Sequence, residues 1–211
     1  MSRATAVLAV AAAALLGVLL GLAVHGLTTK TPSPSGRLSG YRGQAIWPAG
    51  ARRAPDFALP DQSGRRTELA SLRGRSVILA FLDSRCHEQC PLEGRALAAG
   101  LRQVPPAARP VLLVVSVDPW ADTPRSARAA MRRWGLAGSS WRWLLASRAR
   151  LARVWRAYRI EVRRARGDIL HTDAIYLIDG RGFERAGVVY PFLPSWIVDD
   201  LKAMAAGAGS S

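Results

Sequence analysis

The sequence predicts a mixed α/β sandwich, a central sheet flanked by helices, preceded by an N-terminal transmembrane helix. Three observations carry this. Val77–Leu82 and Val111–Val117 are apolar runs without alternation, the pattern of strands buried on both faces. Segments with helical start and stop signals separate the strands, and the last two strands join through a tight Asp179-Gly180 turn.

Each element follows from local chemistry. Ala4 to Leu27 is apolar or small throughout, with Arg3 before it and His25 as its only titratable side chain. About 20 such residues cross a hydrocarbon core, and a basic residue at the start stays on the cytoplasmic side, so the remainder is expected outside. The run exceeds the usual length of a signal-peptide core, which favours an uncleaved anchor over 1–27 despite the small residues around His25. Residues 28–53 are rich in Ser, Thr, Pro and Gly and read as a flexible tether, with Tyr41–Trp47 able to pair as an edge strand. The folded domain is expected over 54–204, and the Gly/Ala/Ser tail 205–211 is too small-sided to pack.

Within the domain, Phe57–Leu59 and Arg66–Leu69 flank an Asp61-Gln-Ser-Gly64 turn and predict a hairpin. Strand Val77–Leu82 follows, then a helix from Pro91 to Arg102 stopped by Pro105-Pro106. After strand Val111–Val117, Thr123 as N-cap and Pro124 at the first helical position open a helix that runs to Trp134. Trp141–Leu145 is a strand and Arg148–Tyr158 a helix; Ala174–Ile178 and Glu184–Val189 form the closing hairpin, and Pro194–Met204 the last helix. This order is that of a thioredoxin-like fold.

The formal net charge is +15, yet the basic residues are almost all Arg and are spread along the chain without interleaved aromatics. A nucleic-acid footprint clusters its cations, so no nucleic-acid partner is expected; anionic lipid head groups suit the charge better. The seven Trp residues read as packing.

Cys86 and Cys90 are the only cysteines, spaced i, i+4 where strand gives way to helix in Cys86-His-Glu-Gln-Cys90-Pro91. That spacing puts both thiols on one helical face, able to share a soft metal ion or to close a disulfide. A bridge across so short a loop restrains little of the unfolded chain, so a functional pair is the better reading. The helix N-terminus and the neighbouring Arg85 should lower both thiol pKa values. His87 and Glu88, between the cysteines, are expected to face solvent. Asp118 and Asp122 read as turn and capping residues, not as a catalytic carboxylate pair.

Taken in order, Ala54-Pro-Asp-Phe57, Asp61-Gln-x-Gly64, Leu72-Arg-Gly74, Cys86-x-x-x-Cys90-Pro91, Val117-Asp-Pro-x-x-Asp-Thr-Pro124, Gly135-Leu136 and His171-Thr-Asp-Ala-Ile-Tyr-Leu-Ile-Asp179 resemble the Sco/SenC family of membrane-tethered copper chaperones. The resemblance implies copper bound by Cys86, Cys90 and His171, as Cu(I) with Cu(II) as a second state. Two thiolates and an imidazole are a set that Cu(I) favours over hard cations. It also implies delivery to a copper-accepting protein such as a subunit of cytochrome c oxidase with a dinuclear copper site, a thiol reductant as partner, and a single-pass position in a bacterial plasma membrane with the domain outside. Where the family carries an acid just before this His, the chain has Leu170, leaving Asp168 and Asp173 as the nearest carboxylates.

Two other functions use the same residues. A thiol–disulfide oxidoreductase would attack with Cys86 and resolve with Cys90, although its usual spacing is Cys-x-x-Cys and it has no need of His171. A peroxidase on this fold would carry Thr or Ser three residues before its reactive Cys, where this chain has Asp83.

Overall fold

The computed structural model describes residues 40–165 and 168–208, so the expected anchor over 1–27 lies outside the described residues. Among these, no helix is long and apolar enough to cross a membrane. The elements are β1 (Ala45–Ile46), β2 (Ala58–Pro60), β3 (Arg66–Glu68), β4 (Val77–Leu82), α1 (Gln89–Gln103), β5 (Val111–Ser116), α2 (Pro124–Arg133), β6 (Trp141–Leu144), α3 (Arg148–Ala157), β7 (Val162–Ala165), β8 (Asp168–His171), β9 (Ala174–Ile178), β10 (Glu184–Val189) and α4 (Pro194–Ala208).

The central sheet has the order β1-β10-β9-β4-β5-β6. The pairs β4–β5 and β5–β6 are parallel, while β9 meets β4 and β10 antiparallel, giving the mixed sheet of a thioredoxin-like fold. Both central runs are buried at every position because each face is covered. Ile78, Ala80 and Leu82 pack with Leu97, Met131, Trp134 and Ile197, under α1, α2 and α4. Val77, Leu79 and Phe81, one residue out of step, pack with Leu59, Leu151, Trp155 and Tyr158, under α3 and the β2–β3 hairpin.

Local signals act as the sequence implies. Thr123 caps α2 through its side chain, which accepts the Ser126 N–H, with Pro124 in the first turn. α1 lies close against the end of α2: a Cβ at Gly94 would stand 2.6 Å from the Trp134 ring, so only glycine allows the approach.

Two differences from expectation stand out, beside one expectation that is met. Residues 162–171, where the sequence predicts no strand, form a separate two-stranded hairpin, β7–β8. Within the segment 28–53, Ala45–Ile46 pair with β10 as the edge strand that Tyr41–Trp47 allowed, and the backbone N–H groups of Arg42 and Gly43 donate to the Asp200 carboxylate. The last helix continues past Met204 to Ala208, into the expected tail.

Candidate metal centre

β4 ends at Leu82 and the chain turns sharply, with Arg85 N–H donating to Asp83 Oδ1 at 2.7 Å. The turn is moored from behind. Asp122 accepts the backbone N–H and the hydroxyl of Ser84 on one oxygen, and on the other the Ser116 hydroxyl at 2.6 Å and the Trp143 indole N–H at 3.3 Å. Arg133 donates to the Ser84 carbonyl at 3.1 Å. Asp122 is thus not the turn or capping residue that the sequence suggested, since Thr123 caps α2, and it helps tie the cysteine loop to β5, β6 and α2.

The first turn of α1 has no capping side chain and no acid, so its N–H groups are open to the thiols. Cys90 N–H donates to Cys86 Sγ at 3.4 Å. Cys86 is half-buried, Cys90 is 1% exposed, and both thiols are free. Their acidities diverge, contrary to the expectation that both would fall. The Cys90 thiol hydrogen-bonds Cys86 and, with the N–H groups of Glu88, Gln89 and Cys90, lowers Cys86 to about 6 despite partial burial. Cys90, as the donor of that bond and more deeply buried, is pushed up. Arg85, which the sequence suggested as a cause, is exposed, and hydrogen bonding is the leading contribution.

His171 comes from β8, 81 residues beyond Cys90 in sequence. Its Nε2 lies 3.7 Å from Cys90 Sγ, and its Nδ1 is 3.1 Å from the Thr172 carbonyl and 3.4 Å from Asp173 Oδ1. A carbonyl only accepts, so Nδ1 carries the proton and the Nε2 lone pair faces the sulfur. Asp173 therefore occupies the supporting position that Leu170 leaves vacant of charge; Leu170 itself points outward, 48% exposed.

The three candidate donors form a chain with Cys90 in the middle. Among the described residues no three His, Cys, Asp or Glu side chains already close around one point. His87 and Glu88 are exposed, as expected, and line with Asp83, Arg85, Asp118 and Trp120 an open cavity of about 430 Å³ beside the loop. Sequence reasoning missed Glu93, one turn beyond Cys90 on the same helix and 1% exposed. Burial, with Asp173 and Cys86 nearby, pushes its carboxyl up to about 8.

Residues 48–206 match the family model described as SCO1/SenC. A curated bovine protein, the mitochondrial protein SCO2 homolog, is 33% identical across 60% of this chain and 50% of its own length, so the chain spans half of that relative. The solved structure of Bradyrhizobium japonicum ScoI with copper bound is 26% identical with a TM-score of 0.62, covering 72% of this chain and 99% of that one. Arabidopsis thaliana ScoI, also solved with copper bound, shares the fold at a TM-score of 0.65 and 21% identity, over 72% of this chain and 98% of that one.

Proposed function

Since the chain belongs to the SCO1/SenC family, we propose that it is an extracytoplasmic copper chaperone that carries Cu(I) on Cys86, Cys90 and His171 and hands it to a copper-accepting protein. The observation that carries this reading is the facing of Cys90 Sγ and His171 Nε2 at 3.7 Å with Nδ1 engaged elsewhere. For bonds of about 2.3 Å to sulfur and about 2.0 Å to nitrogen, typical of a comparable ion, two donors about 120° apart stand roughly 3.7 Å from each other. Cys86, lowered to about 6, is already a thiolate at neutral pH, so uptake releases only the single proton that the pair shares. The copper-bound relatives and the soft donor set support copper over zinc or a hard cation.

Transfer needs no turnover chemistry, only exchange of thiolates between the chain and its acceptor. The acceptor we favour is a cytochrome c oxidase subunit with a dinuclear copper site, and the apolar segment over 4–27 would hold the domain on the outer face of a bacterial plasma membrane. A thiol reductant would keep the pair reduced there.

The divergent acidities favour one alternative, a thiol–disulfide oxidoreductase with Cys86 as nucleophile and Cys90 as buried resolving thiol. A Cu(I) competition titration of the reduced full chain beside its His171→Ala variant separates the two. Tight one-to-one binding that needs His171 is the result expected of a chaperone; binding that is weak or indifferent to His171 turns the assignment to dithiol chemistry.

A further inference from the structure

The two ends of the domain differ in kind. The cysteine loop joins the end of β4 to the start of α1, so the start of β4 and the close of α1 stand together at the other end, ~20 Å away. There a groove of about 460 Å³ opens between the close of α1 and the second half of α4. Val104, Val198 and Leu201 form its floor, and Arg75, Arg109 and Lys202 line it with no acid among its residues. Arg109 is fixed in place, its Nε donating to the Val104 carbonyl at 2.9 Å.

The positive charge extends beyond the groove. Gly74 N–H donates to the Gly180 carbonyl at 2.8 Å, which packs the β9–β10 turn on the segment before β4 and adds exposed Arg73 and Arg181 to this end. Acids close by are engaged elsewhere: Asp179 faces Arg185 at 3.5 Å, Asp199 pairs with Arg42 at 3.2 Å, and Asp200 accepts the backbone N–H groups of Arg42 and Gly43. The chain also enters the domain here, where a Cβ at Gly40 would stand 3.2 Å from that of Ala203, next to Lys202. In sequence, residues 28–39 separate Gly40 from the apolar segment that ends at Leu27. So short a connection reaches at most about 40 Å. Those residues are themselves a poor filling for the groove, because Leu38 is their only large apolar side chain and Lys30 and Arg37 add like charge.

Resting on the membrane-anchored reading above, we propose that this end of the domain lies on anionic phospholipid, which turns the metal centre away from the bilayer. Lipid phosphates meet Arg75, Arg109 and Lys202, and the apolar part of the lipid covers Val104, Val198 and Leu201. A phospholipid offers both halves of the match, an anionic head beside hydrocarbon, whereas a free anion would leave the floor uncovered. Each cation at such a surface favours contact by about fivefold, and salt screens the attraction.

The test places the full chain in nanodiscs of phosphatidylcholine alone or of equal parts phosphatidylcholine and phosphatidylglycerol, and follows amide hydrogen exchange. Exchange over 104–109 and 198–205 should slow about fivefold or more in the anionic discs only, and the slowing should vanish in about 0.5 M salt, although the chain stays in the disc. An Arg75→Gln/Lys202→Gln variant, which changes two exposed side chains, should lose the slowing and keep the exchange of the core strands. Equal exchange in both kinds of disc overturns the proposal and leaves the anchored copper carrier standing. Slow exchange of the same segments in detergent without lipid also overturns it, since a second copy or the chain's own residues would then fill the groove. Slowing around Leu92 and Leu170 instead lays the metal end on the lipid and overturns it too. A chain that does not enter the discs ends the anchored reading and the proposal together, while its Cu(I) titration still judges the copper site.

Discussion

Cys90 and His171 meet across the end of the sheet with sulfur and Nε2 3.7 Å apart, and the far nitrogen of the ring is committed to Thr172 and Asp173. Orientation of the imidazole thus comes from residues after the histidine, not before it. Asp173→Asn should weaken Cu(I) binding by roughly tenfold or more, the usual cost of losing a partner that orients a ligand. Leu170→Asp, which puts an acid immediately before the histidine, should change affinity by less than about twofold, because that side chain faces solvent and Asp173 already serves the ring. Competition titrations of the two variants check both outcomes.

The thiols should be separable by pH. Cys86 is expected to react with iodoacetamide along a curve whose midpoint lies near its pKa of about 6. Cys90, pushed up and buried, should stay unmodified through mild alkalinity until the fold is lost. Alkylation followed by peptide mass spectrometry gives each curve. Equal reactivity at neutral pH would contradict the thiolate–thiol assignment.

Glu93 should make the protein less stable as pH rises. Its folded-state pKa of about 8 lies above the unfolded value, so the native state binds more protons between the two, and stability contributed by the neutral acid is lost on going from mildly acidic to alkaline pH. Glu93→Gln cannot ionise and escapes that loss. Its stability relative to the parent should therefore grow with pH, by on the order of 4 kcal/mol once the parent carboxyl is fully ionised. Urea unfolding at a series of pH values measures it.

Asp122→Ala should destabilise by roughly 3 kcal/mol, because it strands several buried donors from Ser84, Ser116 and Trp143. Burial raises the Asp122 pKa to about 6, so this contribution is largest in acid and shrinks as pH rises through that value. Unfolding curves on either side of about pH 6 test the sign.

Much of this fold could be read from sequence because its signals are strong. The unbroken apolar runs gave β4 and β5, and Thr123-Pro124 marked the start of α2. β7 and β8 escaped for the opposite reason: Val162-Arg-Arg-Ala165 and Asp168-Ile-Leu-His171 expose half of their residues, fully bury none and show no apolar run. The missed hairpin is the element that brings His171 to the cysteines. Glu93 escaped because an acid in an amphipathic helix ordinarily faces water. One cue was available, since position 93 falls in the same stripe as Cys90, Leu97 and Leu101. The contrast between the two thiols had no sequence cue, because it comes from which sulfur donates to the other.

The candidate donors are attached to the protein very unequally. Cys86 and Cys90 grow out of β4 and α1, and Asp122 and Arg133 fasten the turn between them to the core. Among the described residues, the hairpin that carries His171 pairs with no strand of the central sheet. Rearranging the histidine side therefore disturbs few native contacts, whereas displacing the thiols would unpick the interior. On the proposed copper-carrying reading, an incoming acceptor would meet one yielding jaw and one fixed jaw, and the direction from which it could prise the ion loose would be built into the chain.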